Sequence, residues 1–274
     1  MSDQIQLSHL EQTVYFAALR QGIQVLDVDG AGDLATISRG HTMKLLASMA
    51  RKGALYRVGR GRYVVIPADV LYGRQTFVAD PLQVVDELLR REGVTDYYVA
   101  YQSAALVHGA ADQLPQALLV ALPGQRRPIA LGRAEILFIQ VQRAKFFGSQ
   151  MIRYHDAVLR VSDREKTLLD CLDRFDLSGG MDEVVHTISA LLPESDAARL
   201  LAYVPTMHNQ ALVHRLGYIL ETLSMQQPAP AMLLDGLADM VGSRVYPLDP
   251  HGPTGGPTQA RWRVRVNLDL RPEG

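Results

Sequence analysis

Between Arg39 and Arg62 the sequence carries seven basic residues and no acidic ones. This segment therefore has a formal charge of +7, which leaves −8 for the rest of a chain whose total is −1. Clustered lysine and arginine side chains are the groups that neutralise nucleic-acid phosphates. The alternative is a basic surface that contacts only solvent. The predicted secondary structure around the segment distinguishes this alternative from nucleic-acid binding. The basic residues are Arg39, Lys44, Arg51, Lys52, Arg57, Arg60 and Arg62.

A glycine pattern just before this segment resembles a dinucleotide-binding loop. Gly30, Gly32 and Ala35 have the spacing G-x-G-x-x-A, in which backbone amides approach a pyrophosphate. That chemistry also needs an acidic residue about 20 positions later to bind the ribose. No Asp or Glu occurs between Asp33 and Asp69. We therefore interpret this stretch as a glycine turn.

The sequence offers no nucleophile and no metal-ligand set. The single cysteine, Cys171, excludes an intramolecular disulfide framework and a multi-cysteine cage, and its apolar neighbours predict a core residue. His108 ends an apolar helical stretch and is interpreted as a partly buried histidine. Among the eight histidines, His208 and His214 are six positions apart, which is not the one-face spacing of a helix. We expect no catalytic residue, no metal and no cofactor.

Length and composition favour an ordinary globular protein. At 274 residues and 30.3 kDa the chain has room for two domains. Apolar residues make up 47% and charged residues 21%, which excludes a mainly disordered chain. The polar N-terminus does not resemble a signal peptide, and no apolar stretch approaches the ~20 residues of a spanning helix. We expect a soluble cytoplasmic protein.

The first 66 residues predict a series of short elements. Ser8 followed by Glu11 is a capping box that starts a helix ending near Gly22. Pro67 ends the series because proline cannot donate to a strand ladder. This order is typical of a winged helix-turn-helix, which we assign to residues 1–67. The further predicted elements are an apolar stretch at 25–28, a glycine turn, a brief helix at 33–37, a helix at 41–52, and strands at 55–58 and 62–66 around a turn at 59–61.

The third helix is predicted to carry the DNA-reading residues. At ~100° per residue, the apolar residues share one face, which we predict packs on the first helix, and the opposite face points outward. The first residues of a recognition helix meet base edges, whereas later cations hold phosphates. The inward face is Met43, Leu46, Ala47 and Ala50. The predicted base-reading or outward residues are Arg39, His41, Thr42, Lys44, Leu45 and Ser48, the phosphate contacts are Arg51, Lys52 and Arg57, and the wing contacts are Arg60 and Arg62.

The remainder predicts a larger mixed α/β domain over residues 68–274, with a boundary at 67–80 and a possible sub-boundary near residue 203. The chain is thus predicted to be an α+β multidomain protein. Two helix starts are predicted from capping patterns, one at Ser162 with Glu165 and one at Ser178. Predicted helices cover 81–91, 101–109, 181–192, 211–223 and 231–241, and predicted strands cover 117–122, 135–141, 158–161, 244–248 and 262–268.

Four segments resemble the AbiEi-like antitoxins of abortive-infection systems. The wing is similar to the G-x-L-x-R-x-G-x-G-x-Y pattern of that family, and three later segments resemble its Ser-Ala-x-x-x-His-Gly, Glu-Arg-Thr-Leu-x-Asp and Arg-Leu-Gly-x-x-x-Glu patterns. Lys166 stands where the third pattern has arginine. The segments keep the family's order along nearly the whole chain. They are residues 52–63, 98–109, 161–172 and 215–221.

The resemblance implies the antitoxin of a type IV toxin–antitoxin system. The partner would be a nucleotidyltransferase-type toxin encoded beside it, with direct contact left open. The N-terminal domain would bind inverted repeats in the operon promoter as an autorepressor. The larger domain would neutralise toxicity without catalytic chemistry of its own.

Two other readings of the larger domain stay open. In one, it senses a small molecule or has enzymatic activity and controls a winged-helix transcriptional regulator. In the other, it is a protein-binding module that grips the toxin directly.

Overall fold

The computed structural model describes residues 6–73, 80–111, 117–131, 134–224 and 229–270. Its N-terminal region, residues 6–66, holds three helices around a three-stranded antiparallel sheet with the order β1-β3-β2. The Ser8–Glu11 capping box is confirmed, since each side chain bonds the other residue's backbone amide. The elements are α1 (His9–Arg20), β1 (Val25–Asp27), α2 (Val28–Ala35), α3 (Arg39–Arg51), β2 (Leu55–Gly59) and β3 (Arg62–Val65).

The predicted glycine turn is wrong, because Gly30 and Gly32 lie inside α2. The Asp27 side chain accepts a hydrogen bond from the Gly30 amide at 2.7 Å and caps the helix. The helix therefore starts at Val28, five residues before the predicted start, and ends at Ala35. An aspartate cap offsets the low helix propensity of two glycines.

The C-terminal region, residues 80–270, is built on a six-stranded mixed sheet with the order β6-β7-β5-β4-β9-β8. The central pairs β5–β7 and β4–β9 are parallel, and the other pairs are antiparallel. A short helix, α4 (Ala68–Gly73), precedes this region, and α5 (Pro81–Arg91) lies on one face of the sheet beside β9 and β7. The strands are β4 (Tyr98–Val99), β5 (Ala117–Leu122), β6 (Ile129–Leu131), β7 (Ala134–Gln140), β8 (Ser149–Tyr154) and β9 (Ala157–Ser162), and α6 (Tyr101–Val107) follows β4.

Both predicted capping patterns in this region are wrong. Ser162 ends β9, and α7 (Arg164–Asp173) is capped by Asp163, whose carboxylate accepts from the Lys166 amide at 2.8 Å. The helix predicted after Ser178 is capped at Gly180 without a side-chain bond. Ser178 instead donates to the Arg174 carbonyl. The Ser162 hydroxyl is paired with the Thr167 hydroxyl, so each serine has a partner other than the helix amides that the capping pattern assigns to it.

The last third of the chain is helical and shares one hydrophobic core. Buried residues from Leu168 to Leu270 form a single cluster that continues across residue 203. Trp262 is fully buried in this cluster and packs on α10. Among the described residues, no helix is long and apolar enough to cross a bilayer. The elements are α8 (Met181–Leu191), α9 (Ala197–Tyr203), α10 (Gln210–Leu223), α11 (Ala231–Asp239) and a small sheet of β10 (Tyr246–Pro247), β11 (Thr258–Gln259) and β12 (Val264–Arg265).

Helix α5 joins the two regions. The Glu87 carboxylate accepts hydrogen bonds from the backbone amides of Gln24 and Val25 at 3.0 and 2.9 Å. Arg91 pairs with Asp27 at 2.9 Å across the same junction. Val25 and Val64 belong to the same buried cluster as the apolar side of α5. The N-terminal sheet is therefore held directly against the C-terminal region.

We predict that Gly217→Ala destabilises the fold by about 1–3 kcal/mol, the usual cost of overpacking a core. A Cβ atom at Gly217 would overlap the buried ring of Trp262. Gly255→Ala is the matched control, because nothing lies within 4 Å of a Cβ there. Urea unfolding of both variants measures the difference. Equal free energies of unfolding would contradict the proposed close packing.

Candidate nucleic-acid interface

Helix α3 turns one side to solvent and the other to the core of the N-terminal region. Its N-cap, Ser38, follows a left-handed residue, Thr36, that ends α2, so the chain turns sharply between the two helices. The buried side is Thr42, Leu45, Leu46 and Met49. The exposed side is Gly40, His41, Met43, Lys44 and Arg51.

The predicted inward face of this helix is rotated from the observed one. Met43, predicted to pack on the first helix, is 51% exposed, and Leu45 is buried in its place. Ala47 and Ala50 are only half-buried. Both faces contain Leu46 and one methionine, but the observed face adds Leu45 where the predicted face has alanines, and the larger side chain buries more apolar area. Residue size within the repeating pattern was the signal that could have found this face.

Thr42 and Leu45 are consequently corrected as base-reading candidates. Thr42 is completely buried, and its hydroxyl donates to the Ser38 carbonyl at 3.0 Å. Leu45 is 9% exposed and belongs to the core of the N-terminal region. Ser48 is half-buried and donates a hydrogen bond to Glu11. The Thr42 and Leu45 side chains are therefore too buried to meet a nucleic acid, and the Ser48 hydroxyl already has a partner.

Lys52 has a structural partner. Its ammonium donates to the Glu11 carboxylate at 2.6 Å, and the same carboxylate oxygen accepts from the Ser8 amide at 2.6 Å. Burial raises the pKa of Glu11, but the hydrogen bonds from Lys52 and Ser8 outweigh it and lower the pKa to about 2. This partly buried pair joins the end of α3 to the start of α1, so Lys52 orients the helix.

Six of the predicted contact residues do lie exposed on α3 and the β2–β3 hairpin. Arg39 pairs with Asp29, an exposed neighbour, and the His41 ring shares a 3.1 Å hydrogen bond with the Ser38 hydroxyl. Arg57 donates from Nε to the Gly59 carbonyl at 3.2 Å, which shapes the hairpin. Their charges face solvent from one helix side and one hairpin. These residues are Arg39, His41, Lys44, Arg51, Arg57 and Arg60.

Arg62 makes a contact that the sequence did not predict. Its guanidinium pairs with Glu92, at the end of α5, and Arg126 from the C-terminal region pairs with the same carboxylate. The Glu92 side chain is only 12% exposed. Glu92 therefore joins the hairpin to the loop that connects β5 and β6.

The later motif segments build the interior of the C-terminal region. Lys166 is fully buried, pairs with Asp170, and has its Nζ 5.0 Å from the centre of the Phe147 ring. His108 donates from Nε2 to the Ser162 carbonyl at 2.7 Å, and burial lowers the pKa of its imidazole. The His108 bond joins the end of α6 to strand β9, and the Lys166 contact with Phe147 joins α7 to the segment before β8.

The Arg-Leu-Gly-x-x-x-Glu segment on α10 seats Trp262. Gly217 leaves room for the indole ring, and Glu221 accepts from the indole Nε1 at 2.8 Å. Arg215 donates to the Pro247 carbonyl at 3.1 Å.

Burial raises the pKa of the Cys171 thiol to about 12, as in an inert core residue. Within the described ranges, no three His, Cys, Asp or Glu side chains group closely enough to hold a metal ion.

Comparison with known proteins identifies the C-terminal region. Residues 97–222 match the family model of the AbiEi antitoxin C-terminal domain. This match confirms the resemblance that the motif segments indicate, and it covers all three of the later segments completely. No curated protein matches the chain.

The fold is shared with a protein of known structure. The crystal structure of RV2827C protein from Mycobacterium tuberculosis superposes with a TM-score of 0.68 at 15% sequence identity. The alignment covers 94% of this chain and 92% of that chain. The similarity therefore extends over both regions and concerns the fold alone.

We predict that Glu11→Gln lowers the free energy of unfolding by about 1–3 kcal/mol at pH 7, because it leaves Lys52 without its charged partner. The folded pKa of about 2 lies below the ordinary value of 4.5, so this stabilisation is complete above pH 4.5 and is lost as the pH falls toward 2. Denaturant unfolding across this range should show the two proteins converging in acid. Asp33→Asn, at an exposed position of α2, is the control. A constant difference at every pH would rule out the ionised pair as the cause.

Proposed function

Residues 97–222 of this chain match the AbiEi antitoxin C-terminal domain, and from this premise we propose that the chain is the antitoxin of a type IV toxin–antitoxin system and binds DNA through its N-terminal region. The toxin it counteracts is, in this proposal, a nucleotidyltransferase encoded beside it. Neutralisation belongs to the C-terminal region and involves no catalytic step by this chain.

We further propose that residues 1–67 are a winged helix-turn-helix domain. The element order α1-β1-α2-α3-β2-β3 and the sheet order β1-β3-β2 support this assignment. Helix α3 is then the recognition helix for the major groove, and the β2–β3 hairpin is the wing.

The observation that carries DNA binding is the exposed side of α3. Gly40, Lys44 and Arg51 recur at helical spacing along it, and Arg60 lies exposed at the hairpin turn. Glycine at position 40 has no side chain to keep the start of the helix away from a DNA backbone. The arrangement offers donors for base edges at the start of the helix and cations for phosphates at its end and on the wing.

The proposed interface accordingly contains fewer of the predicted contact residues than the sequence indicates. Arg39, His41, Met43 and Lys44 would face the major groove, with Met43 in place of Leu45 as the apolar contact for a thymine methyl group. The Arg39–Asp29 pair is exposed, and such pairs contribute at most about 1 kcal/mol, so a guanine or a phosphate can replace Asp29. Arg51, Arg57 and Arg60 would hold phosphates.

Autorepression follows from the same geometry. A single α3 reads one half-site, so promoter inverted repeats would bind two copies of the chain. The binding free energy would depend strongly on salt because several phosphates are neutralised.

For DNA binding we predict that Lys44→Ala combined with Arg60→Ala weakens binding to DNA from upstream of the chain's own gene. Losing the Arg60 phosphate contact should reduce the slope of log K against log salt by about one, and losing Lys44 removes a donor to a base edge. Fluorescence anisotropy over a salt series gives both values. Arg153→Ala is the matched control, since this exposed arginine lies on β8, the sheet edge farthest from β6. An unmodified chain that fails to bind this DNA at low salt would refute the proposal.

For toxin neutralisation we predict that co-expression of the chain restores growth of cells producing the neighbouring toxin. The Lys44→Ala, Arg60→Ala variant should lose repression of a promoter reporter and keep this growth rescue, because its changes lie outside residues 97–222. Growth and reporter activity are measured in the same strains. If the unmodified chain does not restore growth, the antitoxin assignment is wrong.

A further inference from the structure

Strand β8 is an open edge of the six-stranded sheet. Among the described residues it pairs only with β9, whereas β6, at the other end of the sheet, contacts strand β2 of the N-terminal region. The backbone groups of β8 that point away from β9 are therefore outside the hydrogen-bonded ladder of the sheet. An unpaired edge of this kind is a template on which another extended chain can add as a strand.

The β8 edge is regular over its full length. Its pairing with β9 runs without a shift from Ser149 opposite Ser162 to Tyr154 opposite Ala157. The strand contains no proline and no bulge, which are two devices that prevent further pairing at natural sheet edges. Its 6 residues are an ordinary strand length, so the edge can hold one complete additional strand.

One face of the β8–β9 hairpin is covered, and the other is open. Ile152 and Leu159 pack in the apolar cluster that includes the inner side of α5. Side chains alternate between the two faces of a strand, so Met151 and Val158 point away from α5. They are 55% and 46% exposed. The open face therefore presents two large apolar side chains beside the unpaired edge.

The same open face carries two arginines. Arg153 lies opposite Val158 in the ladder, and Arg160 lies opposite Met151, so each arginine is next to an apolar side chain. Both arginines are exposed, and within the described ranges neither forms an ion pair. The acidic residue of the hairpin, Asp156, lies in the turn beyond the ladder. The charge of this face is consequently complementary to carboxylates.

We propose that the β8 edge binds an extended acidic segment of a partner protein, which adds to the sheet as a further strand. The backbone of this segment would pair with β8, and its alternate side chains would place carboxylates beside Arg153 and Arg160. A second copy of this chain fits the edge poorly, because two-fold antiparallel pairing of β8 would bring two further arginines onto the same face. The inference goes beyond the proposed function and does not depend on it.

The test measures binding of short labelled peptides to the full chain by fluorescence anisotropy. A peptide that alternates valine and glutamate should bind, whereas one with lysine in place of glutamate should not. A version of the acidic peptide with proline at its centre should lose binding, because proline cannot donate to a strand ladder. Hydrogen exchange of the amides in residues 149–154 should slow when the acidic peptide is bound, as expected of a newly paired edge.

The two arginines are tested together in the full chain. Arg153→Ala combined with Arg160→Ala should weaken binding of the acidic peptide about three- to tenfold, the effect expected from two exposed ion pairs. Arg90→Ala combined with Arg244→Ala is the matched control, because it removes the same charge from exposed arginines outside this hairpin. The control should bind the peptide like the unmodified chain, and matching thermal unfolding of both double variants excludes loss of fold.

Any of three results would overturn the assignment. Failure of the unmodified chain to bind the acidic peptide at ~1 mM, or equal binding of the proline version, would exclude addition of an acidic strand. A dimer in sedimentation that Met151→Glu dissociates would assign the edge to a second copy. Weaker DNA binding by the variant that lacks Arg153 and Arg160 would assign these arginines to nucleic acid.

Discussion

Helix α5 holds the N-terminal sheet against the rest of the chain through the charged groups at its C-terminal end. Glu87 satisfies the amides of Gln24 and Val25, and Glu92 joins the β2–β3 hairpin to the β5–β6 loop. Arg91 adds a pair with Asp27, which also caps α2. The orientation of the hairpin and of α2 thus depends on one helix of the other region. A partner that shifts α5 would shift the proposed DNA-binding surface with it.

The motif segments that resemble the family have structural roles. Lys166 and Asp170 form a buried pair, and a buried pair is costly to break because the remaining charge keeps no partner. Glu221 and Gly217 seat Trp262, the largest fully buried side chain. A resemblance carried by such residues identifies the fold of the C-terminal region. A surface for the proposed toxin would lie among exposed residues outside these motifs.

Tertiary contacts determine which basic side chains of the chain remain exposed. Seven basic residues occur between Arg39 and Arg62, and two of them are engaged by carboxylates from distant parts of the sequence. Lys52 binds Glu11, 41 residues away, and Arg62 binds Glu92. These pairs reduce the exposed positive charge and also orient α3 and the hairpin. The cations left over define a narrower surface than the count along the chain implies.

The sequence by itself determined the elements whose signals are local. The Ser8–Glu11 box started α1 as predicted, the predicted range 81–91 coincides with α5, and the predicted range 117–122 coincides with β5. The inward face of α3 and the partners of Lys52 and Arg62 were decided only by the tertiary structure. Each depends on a group far along the chain that competes for a side chain or fills a space in the core. Periodicity and capping patterns describe only near neighbours, so they contain no information about those distant groups.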